Sequence, residues 1–149
     1  MTLGWVGGRT VRVLMRTTFD LVEYLFEALD AGVSGFALKD TPPDDLVAGI
    51  FAVARGDALV DPETTVGLIE RITRRRPPSS PPAGVDELTA PEREALEPAA
   101  AGRPDAEIAA VLGMSDESVD AQVHAVLAKL GVRDRVHAVL VAHQSRLSR

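Results

Sequence analysis

Three histidines, His124, His137 and His143, are the side chains of this chain best suited to acid–base or metal chemistry near neutral pH. No two of them are spaced four residues apart on a predicted helix, so they do not form a helical metal-binding pair. The chain has no cysteine, which excludes disulfides, thiol nucleophiles and cysteine-ligated metals. The stretch "GWVGG" is too short for a phosphate-binding loop and lacks its lysine. We therefore expect no enzyme activity, no cofactor and no metal.

The segment from Ser115 to Arg135 indicates a different chemistry, that of a helix that enters a groove of DNA. Ser115 is a typical N-cap for a helix that runs to about Leu130, where Gly131 would end it. The tight turn "GMS" joins this helix to a shorter one, "PDAEIAAVLG", and the pair is typical of a helix-turn-helix unit. On this helix Gln122 could bond adenine and His124 could touch a phosphate, although a solvated surface position is the simpler interpretation of each.

Acidic residues on the same helix oppose DNA binding. Asp116 and Glu117 lie in its first turn, where they complement the helix dipole, but Asp120 lies beyond that turn. Residues 88–149 hold seven lysines and arginines against nine aspartates and glutamates, whereas a DNA-binding module is normally positive. The formal net charge of the whole chain is -6, which argues against a strongly basic nucleic-acid binder.

The composition is ordinary for a soluble globular protein of one or two small domains. The chain has 149 residues, of which 46% are hydrophobic and 26% charged. No apolar run approaches the roughly 20 residues that a membrane span needs. The first residues, "MTLGWVGGRT", lack the basic start, apolar core and cleavage site of a signal peptide. We therefore expect a cytoplasmic protein with no membrane partner.

A proline-rich stretch, "RRRPPSSPPAG" at residues 74–84, divides the chain. Such a stretch cannot pack a core and favours extended chain, so we interpret it as an interdomain linker; the alternative is a long surface loop inside one domain. Before it, short apolar runs predict strands at Val11–Met15 and Gly35–Leu38, alternating with helices. The order β-α-β-α implies a parallel strand pair with a right-handed crossover. After it the signals are helical, beginning with a capping box at Thr89 and Glu92.

Both halves of the chain resemble parts of one known family. Residues 88–149 resemble the LuxR-type (NarL/FixJ) helix-turn-helix domain in "LTAPEREAL", "DAEIAAVLGMSDESV" and "VLAKLGVRDRVHAV". Residues 11–73 resemble the second half of a response-regulator receiver domain in "VRVLMRTTFD", "ALDAGVSGFALKD" and "LVAGIFAVARGDALVDP". The resemblance implies an α/β plus all-α protein. A partial receiver of the last two parallel strands with their helices (residues 1–73) and a linker (residues 74–87) would precede a four-helix LuxR-type domain (residues 88–149).

The resemblance also implies roles for individual residues. The resemblance implies that the DNA-binding residues of this chain are Ser118, Val119, Gln122, His124, Lys129 and Arg133. It also implies that the receiver's switch residues are Thr17, Phe36 and Lys39. The receiver's phosphoacceptor and acidic Mg²⁺ pair have no counterpart here, so the chain is not phosphorylatable as it stands, and a solvated lysine is the simpler interpretation of Lys39. The last helix would pair in dimers through a stripe that could equally close the domain's own core, namely Val136, Val139, Leu140 and His143.

Three departures from the family leave two functions open. Asp120 stands where the family has a lysine and Gln122 where it has a histidine, while Pro98 falls inside the first helix of the domain. The favoured function is a DNA-binding transcriptional regulator of a two-component type. The alternative is a degenerate regulator that dimerises or binds a partner with little or no DNA binding. We further expect the receiver-like segment to self-associate through the Val11–Met15 edge or through a helix face of Leu21, Leu25 and Leu29.

Overall fold

A computed structural model describes residues 5–6, 9–18, 22–56, 62–75 and 77–147. The described residues before the proline-rich stretch form two short sheets and three helices. Its elements are β1 (Trp5–Val6), β2 (Arg9–Thr10), β3 (Leu14–Thr17), α1 (Val22–Asp30), β4 (Gly35–Leu38), α2 (Pro43–Arg55) and α3 (Pro62–Arg75). The antiparallel pair of β1 and β2 has no counterpart in the sequence prediction.

The predicted parallel pair is confirmed, with one strand displaced. β3 and β4 are parallel, with Leu14 opposite Gly35 and Thr17 opposite Leu38. The sequence predicted the first strand at Val11–Met15, which was wrong by two to three residues at each end. The pairing starts at Leu14 because its partner, Gly35, is the first residue of β4 and follows the turn at the end of α1.

The remaining elements form a helical unit. A single 3₁₀ turn at Val85–Glu87 precedes α4 (Ala90–Ala100), α5 (Asp105–Leu112), α6 (Asp116–Leu130) and α7 (Arg135–Leu147). The predicted capping box begins α4, because Glu92 N–H donates to Thr89 Oγ1 over 3.3 Å and Thr89 N–H donates to the Glu92 carboxylate over 3.1 Å. Pro98 lies in the last turn of α4, two residues before the helix ends at Ala100. Proline has no backbone N–H, so one hydrogen bond of α4 is missing at this position.

The two parts of the chain share one core through α7. Val136 and Val139 pack with Leu25, Leu29 and Ile69 of α1 and α3. The opposite side of α7 contributes Ala138 to a second cluster, built with α5 and α6. Residues 77–84 carry no helix or strand, as predicted, but apolar contacts cross from one side of this stretch to the other. The linker and domain bounds therefore stay a prediction.

The predicted self-association face on α1 lies inside the chain. Leu25 and Leu29 are fully buried against α3 and α7, and Leu21 lies outside the described residues. The helix-face alternative was wrong, because the leucine stripe packs against α3 and α7 of the same chain. Self-association through the Val11–Met15 edge stays a prediction. A stripe of helical spacing indicates that a face is buried without indicating what buries it.

Candidate nucleic-acid interface

The helix-turn-helix unit is formed by α5, α6 and the turn between them. Gly113 ends α5 in the left-handed region with φ 66°, which glycine adopts at little cost. Ser115 then caps α6, since Ser118 N–H donates to Ser115 Oγ over 3.1 Å. Val119 and Val123 anchor α6 to the core behind it. Local signals in the sequence therefore fix both ends of the turn that presents α6.

One face of α6 remains exposed. Ser118, Ala121 and His124 are exposed along it, and Gln122 is partly buried beside them. Val119 is 0% exposed, so its predicted role in DNA contact was wrong, because the side chain cannot reach a groove without leaving the core. The side chains that can meet another molecule here are small or polar, as base-edge contacts require.

Asp120 and His124 are neighbours on the edge of this face. His124 Nδ1 lies 2.8 Å from the carbonyl oxygen of Asp120 and 3.4 Å from its carboxylate. Both side chains are about half exposed, so water and salt screen their attraction. His124 is therefore turned toward an acid of its own helix, and a phosphate would have to compete with Asp120 for it.

The two cations among the predicted DNA-binding residues, Lys129 and Arg133, are engaged within the chain. Lys129 Nζ donates to the buried carboxylate of Glu92 over 2.9 Å. This bond lowers the pKa of Glu92, with help from the hydrogen bonds at Thr89. Arg133 donates to the carbonyl of Val11 over 3.4 Å. Lys129 therefore joins α6 to α4, and Arg133 contacts the N-terminal segment. Each cation would have to leave its contact within the chain before it could neutralise a phosphate.

Residues 86–142 match the family model described as bacterial regulatory proteins, luxR family. The helix-turn-helix domain belongs to the LuxR family. The uncharacterized transcriptional regulatory protein YxjL of Bacillus subtilis is 35% identical over 131 residues, 88% of this chain and 60% of that protein. The probable transcriptional regulatory protein NarL of Mycobacterium tuberculosis is 35% identical over 136 residues, 91% of this chain and 61% of that protein. The predicted LuxR-type family of the helix-turn-helix domain is confirmed.

The chain spans about 60% of the length of these curated relatives. A crystal structure of the response regulator ChrA from a heme-sensing two-component system is 30% identical, covering 93% of this chain and 64% of that one with a TM-score of 0.38. The predicted fold class is also confirmed, with a parallel strand pair and its helices followed by the four helices of the LuxR-family domain.

The beginning of α7 ties the LuxR-family domain to the N-terminal segment. Asp134 is 1% exposed and caps α7 by accepting from His137 N–H over 3.0 Å. His137 Nδ1 lies 2.6 Å from the same carboxylate oxygen, and its Nε2 lies 2.8 Å from the carbonyl of Leu29 in α1. Burial opposes protonation, but the bond and charge of Asp134 outweigh it, so the pKa of His137 is raised.

The predicted dimerisation stripe on α7 faces the interior. Val136 and Val139 are fully buried, His143 is buried with Nε2 lying 3.1 Å from the carbonyl of Ala100, and Leu140 is half-buried against the shared core. Burial lowers the pKa of His143. The described contacts favour the alternative that this stripe closes the chain's own core. Dimerisation through it stays a prediction, and it would require α1 and α3 to leave α7.

The three receiver switch positions divide between an edge and the core. Thr17 and Lys39 meet at the carboxyl ends of β3 and β4, where Lys39 N–H donates to the carbonyl of Thr17 over 3.0 Å. Thr17 is buried and Lys39 is exposed, as expected of a solvated lysine at a strand end. Phe36 is 1% exposed within the shared core.

Sequence reasoning missed three contacts made by residues of the LuxR-family domain. Glu92, predicted only as part of the capping box, also accepts from Lys129; Asp134 lies beneath His137; and Arg135 donates to the Asp105 carboxylate and over 2.9 Å to the carbonyl of Arg103. The spacing of Asp134 and His137 carries a recognisable N-cap signal, and the same is true of Thr89 and Glu92. Nothing local indicates that Arg135 crosses to residues 30 and 32 positions away.

Within the described residues no helix is both long and apolar enough to cross a membrane. The same residues contain no group of three histidines and acids that could hold a metal ion.

Proposed function

We propose that this chain is a DNA-binding transcriptional regulator whose LuxR-family domain presents α6 to duplex DNA. The observation that carries the proposal is the exposed face of Ser118, Ala121 and His124, with the partly buried Gln122 beside it, which a capped turn and a buried core hold in place. The relatives named as transcriptional regulatory proteins support it. A role at the chromosome would place the protein in the cytoplasm.

We propose that this DNA binding is weak without a further change in the protein. Asp120 adds repulsion beside the groove-facing residues, and Lys129 would have to leave Glu92 before it could pair with a phosphate. Neutralised phosphates supply most of the affinity for non-specific DNA. We therefore expect binding near or weaker than about 10⁻⁴ M at physiological salt.

The acidic edge of α6 favours a second candidate, a regulator that acts through protein contacts and has lost DNA binding. Its specific support is the arrangement of Asp116, Glu117 and Asp120 around the same exposed face. As it stands, the chain also offers no aspartate in the position of the receiver's phosphoacceptor, so we propose that neither function is controlled by phosphorylation of this chain.

A single substitution at the centre of the exposed face separates the candidates. Ala121→Glu should abolish binding to a fluorescent duplex in anisotropy titrations at low salt, because it sets an anion and a longer side chain against the groove. Ala90→Glu makes the same change at an exposed position in α4 and should leave binding within about twofold. If both variants bind as the wild type does, α6 is not the DNA-contacting element.

A further inference from the structure

A cavity of about 160 Å³ lies between α3 and α7, near the C-terminal end of each helix. We call it the α3–α7 cavity. The described residues that line it are all polar or charged, namely Glu70, Thr73, Arg74, His143 and Arg146. A single water needs only about 10–15 Å³, so the cavity has room for a ligand of several non-hydrogen atoms. It is a candidate ligand site separate from the face of α6 that is proposed to meet DNA.

The buried side chains of the α3–α7 cavity offer hydrogen-bond acceptors. His143 is 7% exposed, and its Nε2 lies 3.1 Å from the carbonyl oxygen of Ala100, so that nitrogen carries the proton. Burial lowers the pKa of His143, so the ring is neutral near neutral pH and its Nδ1 is an acceptor. Thr73 is buried and donates its hydroxyl proton to the carbonyl of Ile69 over 2.7 Å, which leaves only lone pairs for a ligand. A ligand group that reaches these two side chains must therefore be a donor.

The α3–α7 cavity also carries charges of both signs. Glu70 and Arg74 are one turn apart on α3, a spacing at which an acid and a base can pair, yet neither makes an ion pair with another described residue. Glu70 is partly buried and its charge acts on the His143 ring, whereas Arg74 is exposed. Arg146 donates to Glu97 over 2.7 Å, but both side chains are largely exposed, so this pair is weak and other N–H groups of the guanidinium can donate to a ligand. The cavity therefore combines a positive mouth with an inner wall of acceptors.

We propose that the α3–α7 cavity binds a small free α-amino acid in its zwitterionic form. The ammonium group would donate its three protons to the acceptors of the inner wall, which are the Glu70 carboxylate, His143 Nδ1 and Thr73 Oγ1. The carboxylate would accept from the guanidinium groups of Arg74 and Arg146. An inorganic anion fits less well, because it would meet three acceptors on the inner wall. The proposal does not depend on DNA binding, since none of these residues lies on α6.

An NMR titration of the full chain with glycine near neutral pH tests the ligand. Glycine should bind with a dissociation constant on the order of 1 mM, because it has few atoms and the mouth of the cavity is open to solvent. Binding should shift the Nδ1 resonance of His143 and leave the ring of His124 on α6 unchanged. Acetate and methylammonium, which each carry one half of the zwitterion, should bind at least tenfold more weakly.

Three results of this titration would overturn the proposal. The first is the absence of saturable glycine binding. The second is saturable binding that leaves the Nδ1 resonance of His143 unmoved, because the ligand then lies elsewhere. The third is acetate, phosphate or methylammonium binding as tightly as glycine, because the cavity would then recognise a single charge and not a zwitterion.

Two neutralising substitutions test the residues at the two ends of the ligand. Glu70→Gln removes the charge that faces the ammonium group and Arg74→Gln the charge that faces the carboxylate, so each should weaken glycine binding at least tenfold. Glu63→Gln is the matched control, because Glu63 is an exposed acid two turns earlier on α3 and outside the cavity; it should bind glycine as the wild type does. Circular dichroism and thermal melting establish that each variant is folded. Unchanged glycine binding by a folded Glu70→Gln or Arg74→Gln variant overturns the proposal.

Discussion

Replacing His137 by alanine should destabilise the chain by about 3 kcal/mol. The side chain is mostly buried, and it contacts the carboxylate of Asp134 and the carbonyl of Leu29 over 2.6 Å and 2.8 Å. In the alanine variant the buried Asp134 carboxylate would lose the imidazole. Among the contacts that the structure describes, the short one that remains is the hydrogen bond from the backbone N–H of residue 137. Removing one partner of a buried ion pair costs about 3–5 kcal/mol, and the bond to a charged acceptor alone contributes about 1.5–3 kcal/mol.

The pH dependence of this loss follows from the protonation of His137. Both ring nitrogens face acceptors, so the imidazole must carry two protons to donate to both. Because folding raises its pKa, its stabilisation is fully present below the ordinary value of about 6.5 and is lost as the pH rises through the folded-state pKa. His143 acts in the opposite sense, since burial lowers its pKa, but it is present in both proteins and cancels in their difference.

Thermal melting of the wild type and His137→Ala between pH 5.5 and 9 measures this difference directly. We expect a gap of about 6–12 °C at acidic pH, taking 2–4 °C per kcal/mol for a chain of this size, and a smaller gap at alkaline pH. His124→Ala is the matched control, because His124 also faces an aspartate but is half exposed, and it should change stability by at most about 0.5 kcal/mol. Equal melting of the wild type and His137→Ala, or a gap that widens with rising pH, would show that protonated His137 does not stabilise the fold through Asp134 and Leu29.

Three further predictions concern the core, the Lys129 contact and phosphorylation. Val139→Asp should unfold the chain, because residue 139 is fully buried and an unpaired charge there is costly; a folded monomer by circular dichroism and sedimentation would instead support dimerisation through α7. Glu92→Gln should tighten duplex binding by releasing Lys129. Because the lowered pKa of Glu92 stabilises the fold above about pH 4.5, the same variant should lose less stability than the wild type below that pH. Unchanged anisotropy would contradict the first effect, and unchanged melting in acid would contradict the second. Acetyl phosphate with Mg²⁺ should leave the intact mass unchanged, and a gain of one phosphate would show an acceptor that we have not identified.

Local signals predicted the LuxR-family domain closely. Helix caps and left-handed glycines involve residues adjacent in sequence, so Thr89, Ser115 and Gly131 could be assigned from the sequence, and the structure confirms each. The helix-turn-helix geometry follows from these signals, because they determine where α5 ends and α6 begins. The exposed face of α6 follows in turn from its helical period.

Contacts between distant residues could not be predicted in the same way. The α7 stripe has the same spacing whether it meets another copy or α1 and α3 of its own chain, and so has the leucine stripe of α1. Lys129 was assigned to DNA contact because nothing in the sequence indicates that it pairs with Glu92, 37 residues away. Val119 was assigned to DNA by resemblance, although its position on the inner side of α6 places it in the core.

The most direct test of the proposed function is the affinity of Asp120→Lys for a random duplex, measured by fluorescence anisotropy across a salt series. If α6 faces DNA, the substitution replaces a repulsion with a phosphate contact. It should then tighten binding several-fold and steepen the slope of log K against log salt by about 0.9 for each phosphate gained. The wild type should bind feebly at physiological salt. Identical affinity and slope for the wild type and Asp120→Lys would show that α6 does not face DNA, and would rule out DNA binding through this helix.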